Sequence, residues 1–281
     1  MSDNQTSPNS RDWLLLIGGS TYKFTLTGFY LVALMAILKN HGYSLNQLSW
    51  IHLIGSIEAA KVLFAALMER RPAGRFGRFH GWLLAATLGL SAVFGLMACT
   101  DITQNFALLL TCCVLLSAMS AVYGCAMLGL SCIVLPHRER GFGGVIQTMA
   151  ARGGKMIGGA LVLWLYQEYG QTAAAGLMLA FSLLMLLQLL YYREPESPTA
   201  QGSWTALATR LVSFWQQPET GWRWLVLLFA VAVPYAFMAA TFVPKLADLG
   251  FNPKQTGGIL AVGIPVACLI VTPLSGWFSR N

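Results

Sequence analysis

Five ionisable residues fall inside long apolar stretches of this chain: Lys23, Glu58, Lys61, Arg152 and Lys155. An ion at the centre of a bilayer costs at least roughly 2.5–3.5 kcal/mol on insertion scales, so such residues face a bundle interior, a partner or a water-filled path. Four cations against one carboxylate leave a formal +3, a charge that attracts an anion rather than a cation. Gly19, Lys23, Thr27 and Tyr30 recur at helical spacing, as do Thr148, Arg152, Lys155 and Gly159 with Gln147 beside them. Both stripes read as walls of a solute cavity. Arg152 is the expected anchor, because a guanidinium holds a carboxylate through two parallel hydrogen bonds. Lys23 and Lys155 support it as point charges, with Tyr30 and Gln147 completing the substrate-binding set. Glu58 and Lys61 are assigned to ion coupling, Glu58 as the group that would carry a proton. A plainer reading stays open: Lys23 and Lys155 could snorkel to an interface, and Glu58 with Lys61, three residues apart, could simply neutralise each other.

These residues need helices that cross a membrane, and the composition supplies them. Of 281 residues 56% are apolar and 10% charged, with a mean hydropathy of +0.60. Soluble domains have about 25% charged residues, so an ordinary water-soluble fold is excluded. Eight spans are expected, at about 13–38, 48–68, 81–100, 105–135, 143–166, 172–192, 223–243 and 255–278, each near the roughly 20 residues that a hydrocarbon core requires. Arg70, Arg71, Arg75 and Arg78 fill one loop, and Arg138 and Arg140 the next but one. Such loops face the cytoplasm, which puts the N-terminus inside. The polar stretch from Arg193 to Gly221, broken by Pro195, Pro198 and Pro218, divides the chain. The expected organisation is a six-helix bundle at 1–192, a cytoplasmic linker at 193–222 and two further helices at 223–281. Within the linker Trp204, Leu207, Leu211 and Phe214 share one helical face, which suits a helix lying on the membrane surface.

Several chemistries lack their parts. The net charge of +7 sits in short loops between apolar runs, so it reports orientation rather than nucleic-acid binding. Cys99, Cys112, Cys113, Cys125, Cys132 and Cys268 lie in or beside apolar runs with no CxxC spacing, and the four histidines are scattered. No metal site or cofactor is expected. No Walker loop, GxSxG elbow or HExxH helix is present, so neither an ATP-driven pump nor a membrane hydrolase is indicated, and the protein is expected not to be an enzyme. The polar N-terminus, with no basic residue before the first span except Arg11, does not read as a signal peptide.

The loop after the second span runs Leu67-Met68-Glu69-Arg70-Arg71 and then Gly74-Arg75-Phe76-Gly77-Arg78. It resembles the corresponding loop of the major facilitator superfamily, an acid with a basic Gly-Arg-rich run. Lys61 leading an apolar run into Glu69-Arg70 is similar to the branch of muropeptide permeases and single-polypeptide siderophore permeases. Glu139-Arg140-Gly141-Phe142-Gly143-Gly144 with Gln147 resembles the siderophore side. The resemblance implies an all-α polytopic bundle of the bacterial inner membrane and secondary transport by alternating access without ATP. It also implies a conformational latch at Glu69, Arg70, Arg75 and Arg78. The implied substrate is a small anion, foremost a siderophore or its metal complex, with a muropeptide or other anionic metabolite, a transporter-like sensor or a non-functional remnant as alternatives. The fourth span holds no Asp or Glu, where the family often has acids. Because the family has twelve spans, the resemblance implies that Pro273 to Asn281 begins a repeat of the first basic loop.

Overall fold

The computed structural model describes residues 9–55, 57–58, 61–70, 77–100, 105–136 and 139–195, with scattered positions between 209 and 273. All regular structure among them is helical. The chain divides into two compact units, Met1–Thr199 with Pro265–Asn281, and Ala200–Ile264.

In the first unit α1, Ser10–Gly28, starts from a capping box: Asn9 accepts from the Ser10 amide at 2.8 Å, and Asp12 reaches back to accept from the Asn9 amide at 2.9 Å. It runs through a π-helical segment, Phe29–Ala33, into α2, Leu34–Asn40. The continuous helix has 31 residues. At 1.5 Å per residue it is roughly 46 Å long, more than a hydrocarbon core needs. Next come α3, Leu45–Gly55, and α4, Lys61–Arg70, then α5, His80–Cys99, and α6, Phe106–Val134, which Asn105 caps by accepting from the amides of Ala107 and Leu108. Helix α7, Arg140–Lys155, passes through a second π-helical segment, Met156–Leu161, into α8, Val162–Tyr191.

Two boundaries differ from the expected spans. The second span is not one helix: α3 stops at Gly55, Ile57 and Glu58 form a 3-10 turn, and α4 starts at Lys61. The fifth and sixth spans are separated not by a loop but by one residue. Gly170 has φ 81° and ψ −174°, a conformation essentially reserved for glycine, and the chain reverses there.

Contacts fix the direction of each pass. Helix α7 runs parallel to α1, since Trp13 meets Phe142 near their starts and Gly28 meets Lys155 and Gly159 near their ends. Past Gly170 the chain returns antiparallel to α1, with the Tyr22 hydroxyl against Ser182 Oγ at 2.7 Å and the Tyr192 hydroxyl donating to Asp12. The same stretch is antiparallel to α5: Gln171 donates to the carbonyls of Met97 and Thr100, and the His80 ring meets the Leu189 carbonyl. Helix α6 is antiparallel to α1 and parallel to α3 and α4. Successive passes therefore alternate, as spans joined by short loops must.

Glycine makes the closest seam. A Cβ on Gly154 would stand 2.7 Å from the Thr21 carbonyl oxygen, and one on Gly158 closer still to that of Thr25. Small residues let two membrane helices approach until backbone meets backbone. The two π-helical segments lie side by side along this seam, where Gly159 faces Val32.

Four described helices are long and apolar enough to cross a membrane: Ser10–Asn40, His80–Cys99, Phe106–Val134 and Arg140–Tyr191, the last being 52 residues folded back at Gly170. The protein is an all-α, multi-pass membrane protein. In the second unit Gly221–Val231 forms a shorter apolar helix. The surface helix expected around Trp204 to Phe214 lies outside the described residues apart from Thr209 and Ser213, as does most of the expected span at 255–278.

Candidate functional site

The break in the second pass places Glu58 where three passes meet. One carboxylate oxygen, Oε1, accepts from Lys23 of α1 and from Ser120 Oγ of α6, the latter at 2.8 Å. Lys23 Nζ also reaches Ser120 Oγ at 2.6 Å. The other oxygen, Oε2, accepts from Lys61 at 3.2 Å. Lys23 is buried, whereas Lys61 keeps 42% of its side chain exposed. One carboxylate is thus shared between an interior lysine and a lysine that still sees the surface. The trio carries a formal +1.

Ending α3 at Gly55 frees carbonyls that membrane interior cannot solvate, and Ser117 Oγ donates to one of them, that of Ile54, at 3.0 Å. On either side of the break the Tyr30 hydroxyl donates to the Ile51 carbonyl and Cys125 Sγ to that of Lys61. Tyr30 packs its ring on Gly55, where a Cβ would come within 2.9 Å. The broken pass is therefore held by side chains of α1 and α6 rather than by its own helix.

Beside the trio lies a cavity of about 60 Å³ lined by Thr27, Tyr30, Glu58, Phe94, Ser117 and Ser120. Small-molecule sites occupy roughly 300–1,000 Å³. This cavity admits a few waters, not a solute of metabolite size.

The basic residues of α7 stand elsewhere. Its packing face holds Gly143, Ile146, Ala150 and Gly154, all buried. At 100° per residue Thr148, Arg152 and Lys155 lie opposite that face, with Gln147 at its edge. Lys155 is exposed, and Arg152 and Gln147 are half-buried. Among the described residues neither Arg152 nor Lys155 makes an ion pair. The structure thus joins Lys23, Glu58 and Lys61 and puts Arg152 and Lys155 on a separate face, turned away from the one that packs in the bundle. Gly19, Lys23 and Tyr30, expected on the wall of a solute cavity, are buried where the first pass meets its neighbours, Tyr30 with Thr27 lining the small cavity beside Glu58. Of the latch set, Arg75 and the side chains of Glu69 and Arg70 lie outside the described residues, while Arg78 stacks on Phe79 with its guanidinium 5.3 Å from the ring centre.

Two contributors have weak signals in sequence. Ser120 could have been suspected from its pairing with Ser117 on one face of a span. Glu194 accepts from the amides of Phe79 and His80 at 2.9 and 2.8 Å and so caps α5 from just beyond the end of α8. Nothing local to position 194 points to a partner more than a hundred residues away.

The Major Facilitator Superfamily matches residues 15–281 of the chain. The Anhydromuropeptide permeases of Escherichia coli strain K12 and of Escherichia coli O157:H7 are each 26% identical to it over 254 residues, which is 89% of this chain and 51% of theirs. The chain spans about half the length of the curated relatives it matches.

Proposed function

The chain belongs to the Major Facilitator Superfamily, and from that premise we propose that it acts in secondary transport of an anionic solute of the muropeptide class across a bacterial-type inner membrane, with its N-terminus in the cytoplasm. The observation that carries this reading is the shared carboxylate of Glu58. A carboxylate that trades a buried lysine on one pass for a half-exposed lysine on another offers two arrangements of the bundle, and a proton on it would release both. Such a group couples an ion to a change of shape without being the solute site. The solute itself binds at the face of α7 opposite its packing face, where Arg152 and Lys155 supply positive charge and Gln147 a neutral hydrogen-bonding group. The muropeptide class takes precedence because both relatives bear that name. The siderophore reading rests on the Glu139 to Gly144 motif and gains no support from these matches, so a metal-siderophore complex stands as the competing solute. The latch role of Glu69, Arg70, Arg75 and Arg78, and the division into a six-helix bundle, linker and two further helices, belong to the same proposal.

Uptake of a labelled anhydromuropeptide into cells lacking their own permease tests the reading. We predict that expression of the protein confers uptake, and that Arg152→Ala lowers it about tenfold or more, the cost of losing charge-assisted hydrogen bonds, while insertion stays intact. Unchanged kinetics in that variant would remove Arg152 from the solute site. Uptake of a ferric siderophore with none of the muropeptide would reverse the order of substrates.

A further inference from the structure

A groove of about 980 Å³ opens at the end of the first unit where α1 begins and α8 ends. Its apolar wall consists of Leu14, Leu184 and Leu187, exposed by 64%, 64% and 53%. At its rim stand Arg11, Arg193 and Tyr191, all exposed. We propose that this groove binds one anionic glycerophospholipid, with its phosphate between Arg11 and Arg193 and an acyl chain along the leucines.

The order of residues along both helices carries the argument. On α1, Arg11 precedes Leu14 by three residues, and on α8, Leu184 and Leu187 precede Tyr191, with Arg193 two residues past the helix end. Because the two helices run antiparallel here, each presents leucine deeper in the membrane and a basic residue at the same end. A lipid has that same order, hydrocarbon below and charge above. Tyrosine at the boundary suits the headgroup level.

Charge supports an anionic headgroup over a zwitterionic one. Asp12 is the acid in the groove, and both its oxygens are engaged, Oδ1 by the Tyr192 hydroxyl and Oδ2 by the Asn9 amide. It holds the helix ends together, and among the described residues neither Arg11 nor Arg193 makes an ion pair. The formal balance of the lining residues Arg11, Asp12 and Arg193 is +1, which one phosphodiester neutralises, while the carboxylate of the neighbouring Glu194 is engaged outside the groove by the amides of Phe79 and His80. The positive end of the α1 dipole adds to the attraction. Basic pockets between membrane helices recruit anionic headgroups by this means. A soluble anion would satisfy the arginines and leave the leucines unused.

Native mass spectrometry of the intact protein, given equal amounts of phosphatidylglycerol and phosphatidylcholine with identical acyl chains, tests the proposal. The expected result is retention of phosphatidylglycerol severalfold above phosphatidylcholine. Arg11→Gln with Arg193→Gln should erase the preference, and Leu187→Trp, which fills the groove, should lower both adducts. Arg140→Gln, at the same end but bonded to the carbonyls of Leu135 and Cys132, should leave the preference intact. Equal retention in the unmodified protein, as would follow if another part of the chain covered the groove, overturns the proposal. So does a preference that survives the double variant, or displacement of the lipid by an equal concentration of glycerol phosphate.

Discussion

Glu58 is the residue on which most of the first unit's polar chemistry converges, and its three partners make separable contributions. Removing one member of a buried pair leaves the other charge without compensation, which costs about 3 kcal/mol, toward the low end of the usual range here because Ser120 still serves Lys23. Glu58→Gln should therefore lower thermal stability in detergent and abolish coupled uptake. Combining it with Lys23→Met should recover most of the stability, because no uncompensated buried ion remains and Lys61 is 42% exposed, without recovering transport. A double variant less stable than Glu58→Gln alone would mean that the pair is not the unit of interaction. The sequence identified both lysines and the carboxylate as costly in a membrane, and left two readings of the Glu58–Lys61 pair open. The neutralising contact is present, since Lys61 pairs with Glu58, and the same carboxylate also takes a buried lysine from another pass.

At the scale of elements the seam between α1 and α7 is set by glycine, and glycines on the same helix differ in what surrounds them. Gly158 meets the Thr25 carbonyl, whereas Gly153 has nothing within 4 Å of a built Cβ. Gly158→Ala should cost about 1–3 kcal/mol, as overpacking does, while Gly153→Ala should be near neutral in the same thermal assay. Equal effects would show that the close approach is not what the glycine provides. Gly170 is a second case with a different cause. Nothing crowds it, but its φ of 81° strains any side chain, so Gly170→Ala should destabilise the turn between the last two passes by about 1–3 kcal/mol. A wild-type midpoint in that variant would contradict the reversal. Apolar periodicity located these helices but could not locate their interruptions. A π-helical segment or a 3-10 turn changes the hydrogen-bond register of a residue or two and leaves hydropathy untouched.

For the molecule as a whole, the hydrogen bond from Tyr192 to Asp12 brings the start of the first pass and the end of the last pass of the first unit to one end of the bundle. An even number of crossings between them requires this. Arg11, Arg78, Arg140 and Arg193 are at that end too, and basic loops mark the cytoplasmic side. Single cysteines placed at Ser10 and at Arg193, in a background without the native cysteines, should both resist a membrane-impermeant thiol reagent applied to intact cells. Both should react once the membrane is opened. Labelling of one and not the other in intact cells would break the alternation of passes.

Length, hydropathy and loop charge were enough to establish a polytopic helical protein, because transfer into hydrocarbon is close to a sum over residues and a span must reach across a fixed thickness. The family motif around Glu69 to Arg78 was readable for the same local reason. Which side chains meet was not, since Glu58 finds partners 35 and 62 positions away and the choice depends on how three passes cross. Only the folded chain shows that Lys23 lies inside a helix seam while Arg152 and Lys155 stand on the face of α7 opposite its packing face. Residues of one type and one hydropathy acquire different chemistry from the neighbours that packing gives them, and pairing at such distances is a property of the bundle rather than of any segment within it.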